Sequence, residues 1–201
     1  MNKVLILYPK VFNCYSKFER KLSRILSKID QFQIVCEIDP NDFIGRYSNE
    51  HSLSEEIITT DKWNGLDITH AVAFDDGEEF EEQVKLLNSY KIPVRMVNIL
   101  ITRVINIKKE TKYKGLKSTS KYEYIGRGAY WGNPHSMFED GEDREEVIRK
   151  FEYDFTNDKF PKKSKSEAYK LAGKRLGCFC KPLSCHGDVL ANYLNSLDDN
   201  K

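Results

Sequence analysis

Four consecutive apolar residues, Val4-Leu5-Ile6-Leu7, precede Phe18, Leu22, Ile25, Leu26 and Ile29, which are spaced as one face of a helix. The run is closed by Tyr8-Pro9-Lys10, and a membrane span needs about 20 apolar residues. Val4 to Leu7 is therefore read as a parallel strand buried on both faces, neither an export signal nor a span. Gln33 to Ile38 supplies a second strand, and Ile68 to Phe74 a third that Asp75-Asp76-Gly77 stops. Glu78 to Tyr90 carries Phe80, Val84 and Leu87 at helical spacing, with acids in the first turn where they suit the helix dipole. Pro93 to Ile101 is a further strand, while Leu53 to Thr60 is ambiguous. Strands alternating with helices over about 100 residues predict an open parallel α/β sheet.

The remaining residues need a second, smaller unit. Tyr122 to Ile125 is a strand candidate, followed by the turn-rich Gly126-Arg127-Gly128-Ala129-Tyr130-Trp131-Gly132-Asn133-Pro134. Asp143 stands three residues before Glu146, an acidic relative of the capping box, and Val147, Ile148, Phe151 and Phe155 give the helix behind it a buried face. A strand, Arg175 to Cys180, precedes a last helix bearing Val189, Leu190, Tyr193, Leu194 and Leu197, with Asp188 available as a cap. Lys108 to Lys121 is a Lys-rich linker or exposed hairpin. The second half is thus a small α+β domain.

The chain of 201 residues has a formal charge of +1, which excludes a general polyanion scaffold. Residues 1–110 carry −2 and residues 111–201 carry +3, so the positive excess sits with the loops just described. Lys159 to Arg175 has seven cations against Glu167 alone, and is read as a solvated loop rather than a phosphate contact. The five cysteines are an odd number, and no leader is read in the sequence, so a disulfide framework is not expected and a reducing cytoplasm is. No membrane association is expected; whether the chain forms a homo-oligomer is left open.

Cys178, Cys180 and Cys185 fall within eight residues. A strand's period of two puts Cys178 and Cys180 on the face of Leu176, as buried thiols would be. Cys185-His186 lies at a helix start, where amides and the dipole lower a thiolate's pKa and favour an anion, as a nucleophile site needs. Cys178, Cys180, Cys185 and His186 also offer four soft ligands, enough for tetrahedral zinc, although C-x-C is not the usual knuckle spacing. All three readings stay open.

Gly126 and Gly128 allow close backbone approach while Arg127 offers a planar fork to phosphate or carboxylate. Pro134 biases Asn133 to an extended backbone, leaving its amide to read a ligand edge or to form an Asx turn. Asp75-Asp76-Gly77 ends a strand of the open sheet, where such folds bind ligands, and Asp75 or Asp76 is placed to contact a ribose, act as a base or form an acidic turn. His51 and His70 are read as structural.

Tyr124-Ile125-Gly126-Arg127-Gly128, Gly132-Asn133-Pro134, Arg144-Glu145-Glu146 and the run from Gly173 through Cys178-Phe179-Cys180 and Cys185-His186-Gly187-Asp188 to Leu190 resemble, over about residues 103–197, a bacterial and phage family of unknown function. His135 departs from that family, which has an aromatic there. Val4 to Leu7 with its helix, Gly45-Arg46-Tyr47, Glu50-His51-Ser52-Leu53 and Ala71 to Gly77 resemble the SLOG superfamily, Rossmann-like nucleotide-binding folds related to the lysine-decarboxylase-like phosphoribohydrolases. Tyr8-Pro9-Lys10 replaces that superfamily's Gly-Ser-Arg, and its glycine-rich phosphate loop is missing.

The resemblances imply a Rossmann-like domain over residues 1–102 and a small α+β domain over 103–201, together shaping one cleft. The expected ligand is a nucleotide-like small molecule or a nucleic-acid base, and the expected activity is N-glycosidic hydrolysis or transfer. Arg127 would hold an anionic group and Asn133 orient the base or sugar. Cys185 or His186 with Asp188 would supply the nucleophile or acid/base group. The alternatives are a non-catalytic nucleotide-sensing or sequestering module and a metal-binding protein that interacts with nucleic acid. No cofactor is assigned.

Overall fold

The computed structural model describes residues 1–53, 57–137 and 143–199. The chain divides into two units, Met1–Ile99 with Asp198–Lys201, and Leu100–Leu197.

The first unit is built on β1 (Asn2–Leu7), whose Val4, Leu5 and Ile6 have no exposed surface. Removing each from water contributes about 1.5–3 kcal/mol, which makes this run the natural centre of a sheet. The strands β2 (Phe32–Cys36), β3 (Ile58–Thr59), β4 (His70–Asp75) and β5 (Val94–Asn98) complete a five-stranded sheet in the order β3-β2-β1-β4-β5. Every pairing is parallel, so this is the Rossmann-like open parallel sheet of the sequence reading. β1 lies between β2 and β4, and its carboxyl end is the topological switch point.

The helices are α1 (Tyr15–Leu26), α2 (Phe43–Glu50) and α3 (Glu81–Ser89). Phe18, Leu22 and Leu26 of α1 are buried, but the helix stops before Ile29. α3 begins three residues later than its acidic pattern suggests, after Gly77 turns the chain at φ +91°. The ambiguous stretch yields only β3, and residues 54–56 of it lie outside the described residues.

The second unit places β6 (Arg103–Asn106), β7 (Tyr122–Tyr124) and β8 (Arg175–Cys178) in the order β6-β8-β7, again parallel throughout. The segment Lys108 to Lys121 is no straight linker, because Thr119 N–H donates to Tyr122 O and Tyr124 N–H to Lys117 O in a tight hairpin. The helices α4 (Arg144–Thr156) and α5 (His186–Asn195) pack Phe151, Phe155, Leu190 and Leu194 around Ile125 and Leu176. Asp143 caps α4 by accepting from Glu146 N–H at 2.8 Å, as its spacing indicates. The buried Asn195 amide clamps both backbone groups of Thr102, at 2.8 and 3.0 Å, and so fixes α5 beside the entry to β6.

Candidate functional site

Central β8 ends at Cys178, the chain turns through Phe179 to Ser184, and α5 starts at Cys185. Phe179 faces outward, while Cys178 and Cys180 turn to the same side with sulfurs 3.4 Å apart. Cys185 is the helix cap: its sulfur accepts from Gly187 N–H at 3.4 Å, and Asp188 Oδ2 accepts from Cys185 N–H at 2.9 Å. This brings the three sulfurs within 4.8 Å of one another.

The facing wall comes from the loop after β7 and from α4. A side chain on Gly126 would strike the Tyr124 ring, and Gly128 adopts φ +80°, so both glycines serve the turn that presents Arg127. Asn133 Nδ2 donates to Val147 O in α4 at 2.9 Å, and Asn133 Oδ1 accepts from His135 N–H at 3.0 Å. His135 Nε2 meets Asp154 Oδ2 at 2.8 Å. Lys163 Nζ donates to Tyr130 O and Gly132 O, both at 3.1 Å, and lies 4.1 Å from the centre of the Phe160 ring. The loop is thereby tied at both ends.

Arg127, Asn133, His135, Arg144, Cys178, Cys180, Cys185 and His186 all line one cavity of about 120 Å³, completed by Met137, Val147, Ile148 and Ser184. Every lining residue belongs to the second unit. A second cavity of about 370 Å³ lies among Gly128 to Pro134 and Phe160 to Lys163, and shares Asn133 with the first.

The electrostatics distinguish the sulfurs. Cys178 accepts a hydrogen bond from the Cys185 thiol, which holds it as a thiolate well below the ordinary thiol pKa. Cys185, as the donor, is pushed up by that bond and by burial. Burial and the neighbouring Cys178 also raise Cys180, against a hydrogen bond from Arg144. Burial keeps the His186 imidazole neutral. Its Nε2–H donates to the Trp131 carbonyl at 3.2 Å, which leaves Nδ1 an acceptor 3.7 Å from Cys185 Sγ. Two guanidiniums therefore face one thiolate across a small, half-enclosed space.

Three expectations change. The low thiol pKa belongs to Cys178, because Cys185 spends its proton on it rather than losing one to the helix dipole. Asp188 does not line the cavity: one oxygen caps Cys185 N–H and the other pairs with Lys181 at 2.6 Å. The Asn133 amide is committed to the loop and to α4 instead of being left for a ligand. Sequence reasoning missed Arg144 as a lining residue, yet a signal was present. A cation at the first position of a helix opposes the dipole and calls for another reason to be there.

Asp75 belongs to the first unit, buried at the carboxyl end of β4, where it accepts from Glu79 N–H at 3.3 Å. At the end of β2, Asp39 accepts from Ile44 N–H at 3.1 Å and Gly45 N–H at 2.9 Å, and the Tyr8 hydroxyl donates to it. A carboxylate thus occupies the free amide donors at the start of α2. His51 stacks on Tyr47, and His70 bonds to Thr69, as structural histidines do.

Residues 1–105 match the family described as "Minimal SLOG domain", and residues 105–196 match "Domain of unknown function (DUF4326)". Among curated proteins the chain is similar to the "Uncharacterized 12.4 kDa protein in nrdA-td intergenic region" of Enterobacteria phage T4, with 42% identity over 74 residues, 36% of this chain and 67% of that protein. No solved structure matches. Among the described residues, no helix is long and apolar enough to cross a membrane.

Proposed function

We propose, for a chain that belongs to the minimal SLOG family and so to a group of nucleotide-related function, that its second unit processes a nucleotide, nucleoside or nucleic-acid base by N-glycosidic hydrolysis or transfer. The observation that carries this reading is the convergence of Arg127, Arg144, Asn133, His186 and three cysteines on one cavity. Arg127 and Arg144 hold an anionic group of the substrate by charge-assisted hydrogen bonds. Asn133 keeps the loop wall in place, and the sulfur cluster with His186 is the reacting centre. Cys185 and Asp188 support it by shaping the start of α5. A whole nucleotide needs a pocket of about 300–1,000 Å³. The 120 Å³ cavity therefore receives only the reacting end, and the neighbouring 370 Å³ space receives the base or sugar against Phe160 and Pro134.

Incubating the full chain with a panel of nucleotides and nucleosides, with free base resolved by chromatography, tests the reading. Release of base is expected, and Arg127→Gln and Arg144→Gln each raise KM. Binding without any product would replace it with a nucleotide-sensing module, a reading that the missing glycine-rich phosphate loop favours. Asp75 is then the residue of the first unit nearest in role to a ribose contact.

A further inference from the structure

The sulfur cluster has a feature that neither buried core thiols nor a single nucleophile requires. Cys178 ends a strand, Cys180 lies in the following turn and Cys185 caps a helix, yet their sulfurs lie within 4.8 Å of one another. Three independently fixed points of backbone aim soft ligands at one spot. Zinc with Zn–S bonds of about 2.3 Å in tetrahedral geometry sets its sulfurs about 3.8 Å apart, so the cluster has the spacing of one face of such a site. A disulfide needs about 2.05 Å, and all three cysteines are free.

The surroundings separate a metal from a dry core. All three sulfurs line a cavity that also holds Arg127 and Arg144. Three thiolates around a divalent zinc carry a net charge of −1, which one guanidinium neutralises; with both Arg127 and Arg144 the sum is +1, which suits an anionic fourth ligand. His186, a ligand candidate on sequence grounds, lies outside the group of three sulfurs, with Nε2 bonded to Trp131 O. Among the described residues three ligands meet here, and structural zinc sites take four; the fourth direction is the cavity.

We propose that Cys178, Cys180 and Cys185 bind zinc as a three-thiolate site whose fourth position opens onto the cavity of Arg127 and Arg144. This site does not rest on the nucleotide reading, because it would stand for any substrate class.

The test uses the full chain purified under reducing conditions, with zinc measured by elemental analysis and in competition with a chromophoric chelator. One zinc per chain is expected. Cobalt(II) substitution is expected to give the intense sulfur charge-transfer bands and d–d bands of a tetrahedral thiolate site, and added imidazole is expected to shift them. Cys180→Ser removes the most accessible ligand and should weaken zinc by more than the ~10–100-fold that loss of a supporting partner costs. Cys14→Ser and Cys36→Ser, in the first unit, should leave it unchanged. Circular dichroism of Cys180→Ser separates loss of a ligand from loss of the fold. Sub-stoichiometric zinc in the folded wild type, or equal affinity in Cys180→Ser and Cys14→Ser, overturns the site. Cobalt bands that ignore imidazole overturn the open position. Zinc without base release would leave the site standing and overturn the enzyme reading, so the two proposals fail separately.

Discussion

The cavity depends on a loop that the Asn133 amide ties to α4, which makes Asn133→Ala an informative perturbation. Asn133 Oδ1 satisfies His135 N–H at 3.0 Å, and Asn133 Nδ2 reaches Val147 O at 2.9 Å. The two bonds are unequal. Val147 lies inside α4, where its carbonyl already has a helical partner, so loss of the donor forfeits only a net ~0.5–1.5 kcal/mol. His135 N–H has no such reserve, and leaving it partly buried without an acceptor costs about 1–3 kcal/mol. Alanine should therefore destabilise the second unit by about 3 kcal/mol, and a urea slope of about 2 kcal/mol/M converts that into a midpoint lower by about 1.5 M. Trp131 belongs to this unit and Trp63 to the other, so fluorescence of Trp131 in a Trp63→Phe background reports the right transition. Asn133→Ser keeps a local acceptor for His135 N–H and should recover about half of the loss. A midpoint unchanged in Asn133→Ala, or Ser no better than Ala, would refute the tie and leave Asn133 free for a ligand after all.

Two further predictions concern tyrosines in the two units. The Tyr122 hydroxyl is buried with no hydrogen-bond partner among the described residues; Tyr122→Phe should therefore be neutral or stabilising by about 1 kcal/mol in urea titration, and a loss above that size would mean the hydroxyl is satisfied. The Tyr8 hydroxyl, buried and donating to Asp39, has its pKa pushed well above the ordinary tyrosine value of 10.0 by desolvation first and that bond second. The unfolded chain releases this proton near pH 10 and the folded chain does not, so the contribution is complete below pH 10 and is lost as pH rises above it. Each pH unit inside that window removes about 1.4 kcal/mol per such tyrosine. Between pH 9 and 11 the wild type should lose about that much more stability than Tyr8→Phe; equal slopes would show that Tyr8 ionises in the folded state.

The large elements were legible because their signals are local. Val4 to Leu7 reads as a strand in isolation, and the face of α1 follows from spacing alone. β6 was not legible: Arg103–Asn106 has only two adjacent apolar residues between two polar ones, all half-buried, and becomes a strand only because β8, some 70 residues later, lies beside it. The parallel order β6-β8-β7 has the same origin, since register with a distant strand leaves no trace in a window of ten residues.

The site divides along the same line. That Arg127, Asn133, Cys178, Cys180, Cys185 and His186 carry it could be read from rare residues set in glycine- and proline-bordered loops. Their division of labour could not, because it depends on which polar group reaches which partner first. Cys185 has the amides and dipole of α5 behind it and by that argument should be the thiolate, but a thiol 4.8 Å or less from two others is governed by them before the helix. A neighbouring sulfur that accepts a hydrogen bond from its thiol outweighs a dipole worth about 0.3–1 kcal/mol. The same competition explains Asn133, whose amide finds Val147 O and His135 N–H in its own unit before any ligand arrives. A polar residue in a loop is open to substrate only after nearby backbone groups have been satisfied. Arg127 and Arg144 meet that condition better, because a guanidinium has five donors. Arg127 donates to Ser136 Oγ and Arg144 to Ser184 O, and both still line the cavity.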